Sequence, residues 1–256
     1  MTKLIALIGI KYLLMTLVCF FSFPVQAAQL RVAVAANFKP VLQILAQHFE
    51  QDTHHKVSLS SASSGVLYNQ ITHGAPFDLF LSADSSRPRQ LEKQGLTVKG
   101  SRKTYAYGEL VLWSRGEDKV SLNDLRTYKG RLAMANPVTA PYGLAARQVL
   151  KKMSLWNHYR KRVVKGASIQ QTWQFVASGN VPMGLVARSQ LVSEPYKSAN
   201  ISAIDSTLYD PIQQELVILK RTVQGDLAQA FSDYILSEKS QSLIASQGYQ
   251  PAISGA

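Results

Sequence analysis

The sequence predicts an α/β fold, in which short strands alternate with helices along most of the chain. Short apolar runs, such as the one at 30–34, are followed by segments whose apolar residues recur every three or four positions, as on one face of a helix. This alternation is typical of mainly parallel sheets with helices packed on their faces. No exact repeat and no Pro/Gly-rich linker divides the 256 residues.

The elements can be assigned in chain order from the apolar spacing. The first helix is expected to bury one face, which consists of Val41, Leu42, Leu45, Ala46 and Phe49. The second helix carries Val66, Leu67 and Ile71. Strands are predicted at 30–34, 57–59, 77–81, 110–113, 132–134, 182–186 and 215–219. Further helices are predicted at 142–153, 169–177, 226–236 and 239–246.

Residues 1–27 have the pattern of a secretory signal peptide. Lys3 and Lys11 make the start basic, an apolar run follows at 12–21, and small residues precede the expected cleavage after Ala27. The apolar run is too short for a comfortable membrane span, which needs about 20 residues. We therefore expect the leader to be removed on export and the mature protein to be periplasmic.

Cysteine content and charge exclude several classes of function. Cys19 is the only cysteine and lies in the leader, so no disulfide or thiolate metal site is expected in the mature chain. Removal of Lys3 and Lys11 lowers the net charge from +12 to +10. A positive balance makes nucleic acids and anionic ligands candidate partners. The basic residues are scattered and form no recognisable nucleic-acid module, so we expect no nucleic-acid partner.

Four predicted helix starts carry small polar residues, glycine or proline. They are Asn37 with the nearby Pro40, the segment 63–65, the segments 136–137 and 141–143, and the segment 166–169. A helix start presents unpaired N–H groups and about half a positive charge, so anions bind there readily. Four converging starts would offer about +2 to an oxyanion. Asn and Ser are also ordinary N-caps, so spacing alone leaves both interpretations open.

Short motifs at and between these turns follow one another along the whole mature chain. They are AANF at 35–38, SASSG at 61–65, GAPFD at 74–78, LSAD at 81–84, YGELVLW at 107–113, ANP at 135–137, APYG at 140–143, ASG at 177–179 and GLV at 184–186. In this order they resemble the periplasmic molybdate-binding proteins, the substrate-capturing components of molybdate ABC importers.

The resemblance implies four ligand-binding residues. Asn37 matches a contact made through its side chain and backbone N–H, and Ser64 one made through its hydroxyl and backbone. Tyr142 and Ile169 match contacts made through backbone N–H groups. These residues would hold the metal through the oxyanion, molybdate or tungstate, without direct coordination, and no cofactor is implied.

The resemblance also implies a two-lobed type II periplasmic binding protein fold with the ligand between the lobes. Lobe I would comprise 28–107 and 211–256, and lobe II 108–210, with crossings near 105–108 and 209–212. The implied partners are an inner-membrane ABC permease and its ATPase, and the implied state is a monomer. The sequence departs from some members at Ala187, where they have tyrosine, and at Ala36, where they have threonine.

Two other functions stay open as alternatives. One is binding of another oxyanion such as sulfate. The other is a serine hydrolase that uses Ser64, although no Gly-x-Ser-x-Gly elbow and no His-Glu-x-x-His pattern is present. Asp84 is expected to cap the helix that follows it rather than to act as a catalytic acid. The residues thus predict a binding protein and not an enzyme.

Overall fold

A computed structural model of the protein describes residues 29–116, 119–192 and 200–252. The predicted signal peptide, with Cys19, lies outside these residues. Within them, strands and helices alternate as predicted, so the α/β fold class is confirmed. No helix of the described part is long and apolar enough to cross a membrane.

The described elements fall into three successive stretches. The first contains β1 (Gln29–Ala35), α1 (Lys39–Thr53), β2 (Lys56–Ala62), α2 (Ser64–Thr72), β3 (Leu79–Ser82), α3 (Ser86–Lys93) and β4 (Lys103–Gly108). The second contains β5 (Leu110–Ser114), β6 (Leu132–Ala135), α4 (Pro141–Lys152), α5 (Trp156–Tyr159), β7 (Val163–Gly166), α6 (Ile169–Ala177), β8 (Met183–Ala187) and β9 (Asn200–Ala203). The third contains β10 (Ile212–Ile218), α7 (Gly225–Leu236), α8 (Glu238–Ser246) and β11 (Gln250–Pro251). Short 3₁₀ turns lie at Leu122–Arg126, Arg188–Leu191 and Ser206–Leu208.

The strands form two separate sheets, which define lobe I and lobe II. The lobe I sheet has six strands in the order β11-β4-β10-β3-β1-β2, and the lobe II sheet has five in the order β7-β6-β8-β5-β9. Strands β1, β2 and β3 are parallel, as are β6, β7 and β8. In each sheet the next strand, β10 or β5, is antiparallel to them. This is the two-lobed architecture of type II periplasmic binding proteins.

Helices cover both faces of the lobe I sheet. Val32 and Val34 pack in one apolar cluster with the buried face of α1, while Ala33 packs in another with α2 residues. Burial on both faces explains the nearly continuous apolar sequence of the strand. The helix α1 begins with Pro40 in its first turn and ends at His54, whose left-handed φ of 59° breaks the helical path.

Lobe II repeats this arrangement around its own core. The helix α4 buries Tyr142, Ala146 and Val149 against the sheet. The same apolar cluster includes Ala35 and Ala83 of lobe I. The two lobes are therefore in contact at the base of the cleft between them.

Strand β4 was not predicted, because residues 105–108 were expected to cross between the lobes. Instead they pair with β10 and β11, and Gly108 lies opposite Ile212. The chain passes from one sheet to the other at Glu109 and returns through 209–211. The short strands β7 and β9 were also not predicted.

Candidate functional site

Four helices begin where four parallel strands end. In lobe I, α1 follows β1 and α2 follows β2; in lobe II, α4 follows β6 and α6 follows β7. In open parallel sheets, the carboxyl ends of the strands form the edge at which ligands bind. The four helix starts singled out in the sequence therefore occupy equivalent positions in the two lobes.

Most of these helix starts have no side-chain N-cap hydrogen bond. The N-cap residues Phe38, Ser63 and Ala140 of α1, α2 and α4 make no side-chain cap hydrogen bond. At α6, the Ser168 side chain accepts from the N–H of Gln171 at 3.3 Å. At three of the four starts, therefore, no side chain caps the first turn, and the N–H groups of Ser64 and Tyr142 have no partner of the ordinary N-cap kind.

Asn37 lies in the turn between β1 and α1 and is 3 % exposed. Its side-chain amide donates to Gln214 Oε1 at 2.8 Å and to the Tyr249 hydroxyl at 3.3 Å. The Tyr249 hydroxyl in turn donates to the Asn37 carbonyl at 2.8 Å. The side chain is therefore held by the interior of lobe I, and the backbone N–H is the donor of Asn37 that is left for an anion.

Ser64 is the first residue of α2 and is fully buried. Its hydroxyl oxygen accepts from the Ala83 N–H at 2.9 Å, which fixes its position and leaves its proton free to be donated. The adjacent Ser63 is also buried, and its hydroxyl has no hydrogen-bond partner among the described residues. Two neighbouring hydroxyl groups thus accompany the N–H groups at this helix start.

In lobe II the corresponding positions are occupied by residues that offer the backbone. Pro141 opens α4 and has no N–H, so Tyr142 supplies the first donor of that helix. Ile169 supplies the first donor of α6. Both residues are buried, at 1 % and 3 % exposed. Their side chains pack in an apolar cluster of lobe II, and the Tyr142 hydroxyl has no hydrogen-bond partner among the described residues.

The starts of α2 and α4 meet across the cleft. The Gly65 N–H donates to the Thr139 carbonyl at 2.9 Å, and the Arg87 guanidinium donates to the Val138 carbonyl at 3.1 Å. Arg87 is also paired with Asp84, whose carboxylate accepts from the Arg87 N–H at 2.9 Å. Asp84 thus accepts from the first turn of α3 as a capping side chain would, although the N-cap residue itself is Ser85.

The starts of α1 and α6 line a cavity of about 430 Å³ that opens between the lobes. Ala36 and Lys39 contribute from the first helix start, and Ser168 and Gln170 from the second. Asn37 and Ile169 directly adjoin these lining residues in sequence. The structure thus brings residues beside Asn37 close to residues beside Ile169, and it places Gly65, the neighbour of Ser64, against the loop that precedes Tyr142.

The buried groups near the cleft are neutral. Burial raises the pKa of Tyr142 and of Tyr105 well above the ordinary value of 10.0, and it raises the pKa of Tyr249 to about 12. Lys39 is the only charged residue among those that line the cavity. These buried tyrosines therefore stay uncharged at neutral pH, and the backbone N–H groups of the helix starts are the donors that an anion would meet.

Within the described residues, the surroundings of Ser64 and the distribution of metal-ligating side chains bear on the alternative functions. The Ser64 hydroxyl has Ala83 as its hydrogen-bond partner and no imidazole. Among the described residues, no group of three or more His, Cys, Asp or Glu side chains could hold a metal ion.

Several residues at the site were not predicted. Gln214 and Tyr249 hold the Asn37 side chain by hydrogen bonds, although they lie 177 and 212 positions away along the chain. No local pattern could have pointed to them. Ser63 belongs to the segment 63–65, which the sequence marks as a candidate anion-binding helix start, but the resemblance assigns the contact there to Ser64.

Two lobes, two crossing segments and a cleft lined by helix starts are the architecture of a solute-binding protein. Comparison with known proteins agrees with this class. Residues 30–250 match the family described as "Bacterial extracellular solute-binding protein", and the chain belongs to that family.

Its relatives include two proteins named for molybdate. The molybdate-binding protein ModA of Azotobacter vinelandii is 45 % identical over 233 residues, which cover 88 % of this chain and 90 % of the relative. The ModA of Rhodobacter capsulatus is 38 % identical, with 92 % and 93 % covered. The solved structure of the A. vinelandii periplasmic molybdate-binding protein matches with a TM-score of 0.83 and 36 % identity, over 89 % of this chain and all of that one.

Proposed function

We propose that this protein captures molybdate, and tungstate with it, in the periplasm and delivers it to an ABC importer. The observation that carries the proposal is the set of four buried helix starts in the cleft, three of them without a side-chain cap. The two relatives named as molybdate-binding proteins, which match nearly the whole chain, support the choice of ligand.

The binding residues in this proposal are Asn37 and Ser64 from lobe I, and Tyr142 and Ile169 from lobe II. Their backbone N–H groups and the Ser64 hydroxyl would donate to the four oxygens of the anion. The helix dipoles would supply about half a positive charge each. A doubly charged oxyanion would thus be neutralised by fixed, neutral donors, so that no proton or counter-ion need accompany it.

The proposed basis of selectivity is the fixed spacing of these donors. A smaller oxyanion such as sulfate could not reach all of them when the lobes close. Each donor left buried without a partner costs about 1–3 kcal/mol, so one missed contact would weaken binding by about fivefold to a hundredfold or more. Phosphate that retains a proton would also need an acceptor, and the four helix starts provide donors.

Delivery requires that the permease distinguish loaded from empty protein. A ligand that touches both lobes favours the closed arrangement because it binds that arrangement better than the open one. In this proposal the leader at 1–27 directs export, the mature chain acts as a monomer, and the permease with its ATPase reads the closed form.

Calorimetric titration of the mature, ligand-stripped protein tests the function directly. We expect tight one-to-one binding of molybdate and tungstate, and no measurable heat with sulfate or phosphate. Equal affinities for sulfate and molybdate would contradict the size argument. Binding of sulfate without binding of molybdate would retain the fold and replace the ligand.

A further inference from the structure

Ser63 stands at the N-cap of α2 without acting as a cap. Its backbone has the extended conformation of an N-cap residue, with φ −68° and ψ 149°. A serine in this position normally accepts a hydrogen bond from an N–H of the first helical turn. Here it accepts none, and the Gly65 N–H, two residues on, donates instead to Thr139 of lobe II.

The hydroxyl of Ser63 is buried and unsatisfied. The residue is 5 % exposed, and its Oγ has no hydrogen-bond partner among the described residues. Most buried polar side-chain atoms have a partner, and one that does not calls for an explanation. Ser64, the next residue, shows the contrast, because its hydroxyl oxygen is engaged by the Ala83 N–H.

The surroundings of Ser63 place it in the cleft. Ala62 lines the cavity that also contains Ser168 of lobe II, and Gly65 touches the loop before α4. Ser63 lies between these two points of contact with lobe II. An N-cap side chain is directed over the start of its helix, where the N–H groups of α2 would meet an anion.

We propose that the Ser63 hydroxyl is an additional donor to the bound oxyanion and helps to determine affinity and selectivity. The assignment rests on the proposed function and deepens it, since it names a contact beyond Asn37, Ser64, Tyr142 and Ile169. A hydroxyl rotates freely about its C–O bond, so Ser63 can adjust its donor to the anion while the backbone donors stay fixed.

A ligand contact and a structural cap have opposite effects when they are removed. An unpaired buried hydroxyl destabilises the ligand-free protein, so its deletion leaves stability unchanged or raises it. The same deletion removes a hydrogen bond to a charged group in the complex. Such a bond contributes enough that its loss weakens binding by about tenfold to a hundredfold.

The experiment compares the wild type, Ser63→Ala and Ser60→Ala as mature, ligand-stripped proteins. Ser60 is an exposed serine on β2, close in sequence, and serves as the matched control. Molybdate affinity is measured by calorimetry, and the melting temperature is measured without ligand. We expect Ser63→Ala to bind molybdate about tenfold to a hundredfold more weakly, with an unchanged or higher melting temperature. Ser60→Ala should match the wild type in both measurements.

Two results would overturn the assignment while leaving the proposed function intact. One is an affinity of Ser63→Ala within twofold of the wild type. The other is a lower melting temperature of ligand-free Ser63→Ala, because a structural cap would then account for any loss of binding. Failure of the wild type to bind molybdate or tungstate would instead overturn the proposed function, and the Ser63 contact with it.

Discussion

The two lobes are built on the same strand order, yet they supply hydrogen-bond donors to the cleft in different ways. Each has three parallel strands beside an antiparallel one, with a helix after the first and second parallel strands. In lobe I the helix starts carry side chains with polar atoms, namely Asn37, Ser63 and Ser64. In lobe II the proposed donors are the backbone N–H groups of Tyr142 and Ile169, whose side chains pack in an apolar cluster.

This difference predicts which substitutions in each lobe should weaken ligand binding. A backbone donor persists whatever the side chain, provided that the helix start keeps its position. A side-chain donor disappears with its residue. Lobe I should therefore be sensitive to loss of individual polar groups, and lobe II to changes that displace a helix as a whole.

Gly143→Ala is expected to have the largest effect, because it would displace α4. A Cβ at this position would lie 2.3 Å from the Ala135 carbonyl oxygen, a backbone atom at the end of β6 that cannot easily move. Overpacking of this kind costs about 1–3 kcal/mol, or about 2–12 °C in melting temperature for a protein of this size. We expect both a lower melting temperature and loss of molybdate binding, measured by calorimetry on ligand-free protein. Unchanged binding would show that the start of α4 does not contribute a donor.

Gly65→Ala should weaken binding without lowering the stability of the ligand-free protein. A Cβ there would lie 2.9 Å from the Thr139 Cα and carbonyl oxygen, which belong to the other lobe. Within lobe I the methyl group would lie 2.9 Å from Arg87 Nη2, the end of a flexible side chain that can move, and alanine is favoured over glycine within helices. We expect an affinity about tenfold lower, as for the loss of about 1.4 kcal/mol, with an unchanged or slightly higher melting temperature. If Gly65→Ala lowered the melting temperature as much as Gly143→Ala, its effect on binding could no longer be assigned to contact between the lobes.

Ser64→Ala and Ile169→Val test side-chain against backbone donation. Ser64→Ala removes a donor to the anion and the acceptor of the Ala83 N–H, so we expect molybdate to bind about tenfold to a hundredfold more weakly. Ile169→Val keeps the N–H and loses one buried methylene group, which costs about 0.5–1.5 kcal/mol of stability. Its affinity should stay within about threefold of the wild type, corresponding to less than about 1 kcal/mol. Calorimetry measures the affinity of both variants for molybdate, and thermal melting measures their stability. Equal losses of affinity would contradict the distinction between a side-chain donor at Ser64 and a backbone donor at Ile169.

The smallest effect concerns pH and compares two tyrosines, Tyr249 in lobe I and Tyr159 in lobe II. Burial raises the pKa of each to about 12. Below pH 10 both the folded and the unfolded states keep the proton, so neither tyrosine makes stability depend on pH. Between pH 10 and 12 the unfolded chain loses its proton first, and stability falls with rising pH, by at most about 1.4 kcal/mol per pH unit for the fully buried Tyr249.

The variants Tyr249→Phe and Tyr159→Phe separate the effect of a buried tyrosine on alkaline stability from the effect of Tyr249 on ligand binding. Each should lose part of the alkaline decline in unfolding free energy, measured by denaturant melts from pH 9 to 12. Tyr249→Phe alone should also weaken molybdate binding at neutral pH, because the Tyr249 hydroxyl holds Asn37. If Tyr159→Phe weakened binding equally, the link between Tyr249 and the site would be lost.

Much of the fold could be predicted, because its elements have strong local patterns. The helix at 169–177 has the predicted bounds, and α1 buries the five residues that were expected to share its apolar face. Strand β4 escaped prediction because its sequence, KTYAYG, has no apolar run and no regular alternation of buried positions. It is a strand because β10 and β11 lie on either side of it and supply its hydrogen bonds.

For the candidate site, the sequence pointed to Asn37, Ser64, Tyr142 and Ile169 but could not assign their hydrogen bonds. The Asn37 side chain was expected to contact the ligand, and instead it donates to Gln214 and Tyr249. Its partners lie in the returning strand β10 and next to β11, far along the chain. A contact over such a separation leaves no trace in the local spacing of residues.

The sequence by itself determined the alternation of strands and helices and the small polar residues at four helix starts, because both follow from local spacing and local backbone preferences. The tertiary structure alone decided which starts meet and which polar groups are satisfied. It pairs the Gly65 N–H with the Thr139 carbonyl and the Ser64 hydroxyl oxygen with the Ala83 N–H. It leaves the Ser63 hydroxyl without a partner among the described residues. These outcomes depend on how two sheets pack across a cleft, and the free energy of that packing is a property of residues distant in sequence.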